Sequence, residues 1–163
     1  MAEPASDAAP EAKPGPISDE AMLARFQGAR SRPPASETLG FEMVRIDQAA
    51  LEIEVAFTAL PAFCNPMGQV QGGFLMAMLD ETMSVAGVVA SNMTAFMPTL
   101  EQKTSFLRPA FPGRLTCVAR VVKWGRSIAF SEASLFDAQG RLLARSTATA
   151  MPTPFKAARA KTL

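Results

Sequence analysis

The stretch Asn65-Pro-Met-Gly-Gln-Val-Gln-Gly-Gly-Phe-Leu-Met-Ala-Met-Leu-Asp-Glu-Thr-Met-Ser84 decides the fold. It opens as a loop, with Pro66 and Gly68 as turn residues. It passes Gly72-Gly73 and is then apolar from Phe74 to Leu79. Asp80-Glu81 interrupts the run, and Met83, Val85, Ala86, Val88 and Val89 resume it. A helix that is apolar nearly all round is a buried helix. A carboxylate two turns inside one is costly unless it is paired or used.

On the C-terminal side the pattern predicts strands at residues 95–107, 115–124, 127–136 and 142–151. They are punctuated by Pro109, Pro112-Gly113, Gly125 and Asp137-Ala-Gln-Gly140, and stopped by Pro152 and Pro154. On the N-terminal side, residues 38–59 alternate with period two: Leu39, Phe41, Met43, then Leu51, Ile53, Val55, Phe57, with Asp47-Gln48 as the turn. Ser18 caps a short helix with Asp19 and Glu20 in its first turn and a sticky face of Met22, Leu23 and Phe26; Gly28 and Pro33-Pro34 end it. Residues 1–17, with Pro4, Pro10, Pro14 and Pro16, read as a disordered tail. Residues 155–163, with Lys156, Arg159 and Lys161, read as a basic tail. Residues 18–154 form one domain. Two strands, a long buried helix and four more strands make an α+β chain. Its expected form is an antiparallel sheet of five to six strands wrapped around one central helix, the layout of a hotdog fold.

Composition removes several function classes. The net charge is +1, which gives no basis for broad binding to nucleic acid or an acidic membrane. Asp80 and Glu81 break the longest apolar stretch, so it does not read as a membrane span. The N-terminus has no signal-peptide pattern. Cys64 and Cys117 make neither a disulfide framework nor a metal-ligand spacing, which suits two reduced thiols in a cytoplasmic protein. There is no histidine, which excludes Ser-His-Asp and Cys-His catalysis and any His-ligated zinc. Tyrosine is absent too, so a base working near neutral pH is Asp, Glu, Lys, Cys or an activated water.

The order Asn65, Gly68, Gln71, Gly72-Gly73, then Asp80 inside the helix resembles the hotdog-fold acyl-CoA thioesterases. The closest likeness is to the phenylacetate-pathway (PaaI-like) branch, related to the 4-hydroxybenzoyl-CoA thioesterases. It extends through Pro98-Thr99, Phe106-Leu107-Arg108-Pro109-Ala110 and Gly140-Arg-Leu-Leu-Ala144. The resemblance implies that Asn65 supplies a side-chain amide to the thioester or its attacking water. It implies that the Gly72 N–H polarises the carbonyl and that Asp80 is general base or nucleophile. Ser84 and Thr99 match positions where some members keep a hydroxyl near that carboxylate. Gln71 stands where most of the branch has histidine; glutamine exchanges hydrogen bonds but does not titrate. The resemblance also implies a homodimer, often paired into a tetramer, with sites at the dimer interface.

Each residue also has a structural reading. Asn65 suits a turn beside Pro66. Gly72 and Gly73 permit close packing as well as free N–H groups at a helix start. Ser84, one turn beyond Asp80, can bond back to the helix. Glu81 lies about 100° further round, so only one of the two acids faces a given site. Arg108 and Lys123-Trp124-Gly125-Arg126 are candidates for the phosphates and adenine of coenzyme A, or simply polar strand ends. The expected activity is hydrolysis of an acyl-CoA thioester, with coenzyme A as part of the substrate and no metal or further cofactor. Two rivals stand beside it: an acyl-binding hotdog protein without turnover, and a hotdog dehydratase or hydratase, which the missing histidine disfavours.

Overall fold

The computed structural model describes residues 15–155. The tail expected at residues 1–17 lies outside that range up to residue 14, as does the basic tail from Lys156 onward. The chain runs α1 (Asp19–Gln27), α2 (Pro34–Leu39), β1 (Glu42–Asp47), β2 (Glu52–Ala59), a 3-10 turn (Pro61–Phe63) and α3 (Gly72–Ala90). Then come β3 (Ala95–Phe96), β4 (Thr99–Phe106), β5 (Gly113–Trp124), β6 (Ala129–Phe136), β7 (Leu142–Ala150) and β8 (Thr153–Pro154). Six strands form one antiparallel sheet in the order β1-β2-β5-β6-β7-β4, and β3 pairs with β8 beside it.

Helix α3 lies on this sheet, touching β2, β4, β5, β6 and β7. Its buried residues Leu75, Met78, Leu79, Thr82, Met83 and Ala86 recur at helical spacing. They meet Ile53, Val55, Phe57, Leu115, Cys117 and Leu135, the inward residues of alternating strands. The helix is long and apolar enough, by length and composition, to cross a bilayer; here that apolarity serves the sheet. It is not covered all round by its own chain, as its composition led us to expect. Met76 and Ala77 are exposed, and Asp80 and Ser84 on the same face are half-buried.

Two local expectations change. Leu39 ends a helix instead of opening a strand. Pro34 sits at the start of α2, where a missing N–H costs nothing. Gly40, at φ +66°, closes the helix, with the Phe41 N–H returning to the Ser36 carbonyl at 3.0 Å. Leu39, Phe41 and Met43 are all buried, so their alternation reported burial, not strand geometry. The strand expected over 95–107 is two strands, because Pro98 cannot donate to a ladder. β3 therefore turns aside to β8, and β4 joins β7 at the sheet edge.

Candidate active site

The loop before α3 is tied down at several points. Asn65 Oδ1 accepts from the Met67 N–H at 2.9 Å and the Gln69 N–H at 3.2 Å, while the Asn65 N–H donates to the Gln69 carbonyl at 2.8 Å. Gly68, at φ +74°, completes this turn. The Val70 N–H reaches Ala110 O and the Gln71 N–H reaches Phe63 O, both at 2.9 Å. Phe63 stacks on Phe74 with centroids 4.2 Å apart, which pins the loop to the first turn of α3. The turn-forming role of Asn65 is thus present, yet its amide Nδ2 has no partner among the described residues.

Asn65 and Gly72 line one open groove of about 470 Å3 with Leu75, Phe106 and Arg108. Gly72 begins α3, where the first N–H groups lack intrahelical acceptors and the helix dipole is positive. A Cβ at Gly72 would lie 3.0 Å from the Phe106 ring, so only glycine lets the ring lie this close to the helix start. Gln71 precedes the helix with an exposed side chain that caps nothing; its carbonyl accepts from Phe74 N at 3.0 Å. Arg108 Nη1 donates to Leu142 O at 2.8 Å, which fixes its stem at the groove.

Asp80 lies two turns further along. Its Oδ1 accepts from Thr99 Oγ1 at 2.6 Å, and no cation pairs with it among the described residues. Ser84, on the same face, donates to Met97 O at 3.3 Å and not to Asp80. Glu81 turns the other way, where its Oε1 accepts from Ser36 of α2. Burial raises the Glu81 carboxyl above its ordinary range; the Ser36 bond opposes this and the charge on Asp80 adds to it. The sequence reading missed the Ser36–Glu81 pair, since 45 residues separate the partners and nothing local announces the contact.

The candidate residues fall into two groups. Asn65, Gly72 and Arg108 share the groove. Asp80 and Thr99 share the other end of the sheet, where Trp124 pairs with Ala129, Ala129 with Ala150, and Ala150 with Thr99 across neighbouring strands. Lys123, Trp124, Gly125 and Arg126 therefore lie at the Asp80 end, three strands across from Thr99. Eight residues of α3 put Gly72 and Asp80 roughly 12 Å apart along the helix. Cys117 is fully buried and its thiol is pushed up to about 12, chiefly by burial, so it is no nucleophile. No group of three or more metal-ligating Cys, Asp or Glu side chains occurs among the described residues.

A six-stranded antiparallel sheet wrapped on one central helix, with a tethered loop at the helix start, defines a hotdog-fold protein. A family model described as the thioesterase superfamily matches residues 67–144. A phenylacetic acid degradation-related protein from Ralstonia eutropha JMP134 is 37% identical with a TM-score of 0.73, covering 79% of this chain and 98% of that one. A thioesterase family protein from Silicibacter pomeroyi is 26% identical with a TM-score of 0.71, over 80% and 97% of the two chains. A Streptococcus mutans UA159 protein bound to acetyl CoA is 20% identical with a TM-score of 0.63, over 77% and 94%, a likeness of fold alone. The chain belongs to the thioesterase superfamily, in its PaaI-like, hotdog-fold branch.

Proposed function

We propose that the protein hydrolyses an acyl-CoA thioester to a free acid and coenzyme A, and that it works as a two-fold dimer. The observation that carries this reading is Asp80 itself. It is a half-buried carboxylate on a mostly apolar helix, with the Thr99 hydroxyl as its partner and no cation beside it among the described residues. A structural acid in such a place would be neutralised. Asp80 instead keeps one oxygen for a water or a carbonyl carbon.

One helix cannot present the Gly72 N–H and the Asp80 carboxylate to the same thioester across about 12 Å. Two antiparallel copies of α3 can. The exposed β4 edge, with Leu100 and Phe106 about half exposed, and the open strip of Met76 and Ala77 supply a surface for that pairing. In the dimer the thioester carbonyl sits against Asn65 Nδ2 and the Gly72 N–H of one protomer. The partner's Asp80 takes a proton from water as that water adds to the carbonyl carbon, or attacks the carbon itself to give a mixed anhydride that water then hydrolyses to the free acid, regenerating Asp80. The C–S bond breaks, and the coenzyme A thiolate takes up a proton. The helix dipole and the Gly72 N–H hold the charge that develops on oxygen. Arg108 beside the groove suits the phosphates of coenzyme A. Lys123, Trp124 and Arg126, at the Asp80 end, would approach the same site from the partner. The acetyl CoA on the Streptococcus mutans protein supports this ligand class. Two unpaired cysteines suit the cytoplasm; pairing of dimers into a tetramer remains an expectation of the family likeness.

A second reading, an acyl-CoA binder without turnover, is favoured by Gln71 in place of the branch's usual histidine. Thiol release from a panel of aliphatic and aromatic acyl-CoAs, by the wild type and Asp80→Asn, separates the two. Hydrolysis that Asp80→Asn abolishes supports the enzyme; tight binding with no thiol release by the wild type supports the binder.

A further inference from the structure

Asp80, Ser84 and Gly87 form one stripe along α3, at spacings of four and three residues. The chain between β3 and β4 runs down that stripe in the opposite direction. The Met97 side chain packs on Gly87, Ser84 Oγ donates to Met97 O at 3.3 Å, and Thr99 Oγ1 donates to Asp80 Oδ1 at 2.6 Å. The sheet holds the same segment from its other side. There the Met151 N–H donates to Pro98 O at 3.0 Å, Thr99 pairs with Ala150, and Met97 clusters with Ala129 and Ala150. Met97 is thus a buried wedge between helix and sheet, and Gly87 sets how deep it goes. A Cβ at Gly87 would overlap Met97 Cγ and lie 2.9 Å from its Sδ. Cγ is only two bonds from the backbone, so the segment 97–99 would have to move, not just the tip of a side chain. Glycine inside a helix is less favourable than alanine, and the close approach of Met97 is the reason for one here.

We propose, resting on the reading of Asp80 given above, that Gly87 is a positioning residue for the reaction. By admitting Met97 it sets the segment 97–99 where Thr99 holds one oxygen of Asp80 and turns the other toward the reacting water or carbonyl carbon. The last torsion of an aspartate is soft, so what is bonded to Oδ1 decides where Oδ2 points. Thr99 is the partner of Asp80 among the described residues, and Oδ2 has none there. Ser84 guides the same segment from a position nearer to Asp80. Gly87 itself is buried and lies about 10 Å along the helix from Asp80. It touches no reacting atom and acts through Met97 and Thr99. Asn65, Gly72 and Arg108 are further away still, and the groove they line includes neither Met97 nor Thr99.

The test is steady-state thiol release from the best acyl-CoA of the panel by Gly87→Ala, Thr99→Val and the double variant, each checked for folding by circular dichroism. Misplacing a reacting group by about 1 Å costs up to about a hundredfold. Gly87→Ala and Thr99→Val should each lower kcat by about tenfold or more, with KM within about twofold of the wild type. The double variant should be no slower than Thr99→Val alone, because residues that act through one contact are not additive. Where Gly87→Ala does not fold, Ser84→Ala carries the same test. It removes the bond to Met97 O and adds no atom, and it should lower kcat in the wild type and not in Thr99→Val. An unchanged kcat in Thr99→Val or in the folded stripe variant, a loss that appears in KM alone, or losses that multiply in the double variant each overturn the proposal. Multiplied losses would make Gly87 a matter of helix packing only. Absence of hydrolysis with every acyl-CoA overturns the thioesterase reading as well. Hydrolysis that Asp80→Asn abolishes and Gly87→Ala leaves intact overturns this inference alone.

Discussion

Asp80 and Glu81 are neighbours on α3 and face different halves of the molecule. Asp80 shares its face with Met76, Ala77 and Ser84, which the other described residues do not fully cover, and among them its partner is Thr99 at the edge of the sheet. Glu81 is walled in by α1 and α2 and bonded to Ser36. Along the sequence the two acids are almost interchangeable. What separates them is which side of an apolar helix its own chain covers. The open side leaves Asp80 accessible to a second copy and a substrate. The covered side lifts the Glu81 carboxyl above its ordinary range, chiefly by burial.

The sharpest way to break this comparison is Asp80→Asn. The amide nearly preserves shape but accepts no proton, so kcat should fall by about a hundredfold or more while the folded circular dichroism spectrum is kept. Glu81→Gln should cost far less on the same substrate; the reverse ranking would exchange the two roles. A smaller loss is expected from Gly72→Ala. The new Cβ meets Phe106 at 3.0 Å, and displacing the ring and the adjoining donor should cost about tenfold in kcat/KM. Adding Phe106→Ala to that variant should recover part of the loss, measured in the same steady-state assay.

Much of this arrangement was legible before any coordinates. The apolar run around Asp80 signals the central helix, because no other secondary structure of that length needs apolar residues on every face. The turn residues between strands place the hairpins, because Gly125 and Asp137–Gly140 leave the chain few alternatives. Other features depend on distant parts of the chain. Alternation at Leu39, Phe41 and Met43 marks burial equally well in a helix end and in a strand. Pro98 lies inside a run of strand-like residues, and only the pairing of β3 with β8 gives the diverted chain a partner. The Ser36–Glu81 bond needs α2 folded back on α3, a contact that no local pattern carries. The grouping of Lys123–Arg126 with Asp80 instead of Arg108 emerges only from strand register.

A smaller effect separates the two acids further. The folded chain holds the Glu81 proton to higher pH than the unfolded chain does. Stability from this group is therefore lost as pH rises from the ordinary glutamate value of 4.5 through the raised one. Glu81→Gln should flatten that part of the curve, read as the urea midpoint against pH, whereas Asp80→Asn, which removes only the smaller contribution of the Asp80 charge, should shrink the Glu81-linked slope without abolishing it. The smallest effect is expected from Gln71→His. The side chain is exposed and bonds nothing among the described residues, so turnover should change only modestly. Strong activation of an inactive parent would instead favour the binder without turnover.

The central claim is that one catalytic site draws Asn65 and Gly72 from one chain and Asp80 from another, and complementation tests it most directly. Asn65→Ala and Asp80→Ala homodimers should each be inactive. Mixed by unfolding and refolding together, they form heterodimers in which one site carries both lesions and the other carries none. Random assortment makes about half of the dimers mixed, so activity should return to about a quarter of the wild-type level. No recovery, with heterodimers confirmed by native mass spectrometry and both variants folded, would place the whole site within a single chain and contradict the shared geometry.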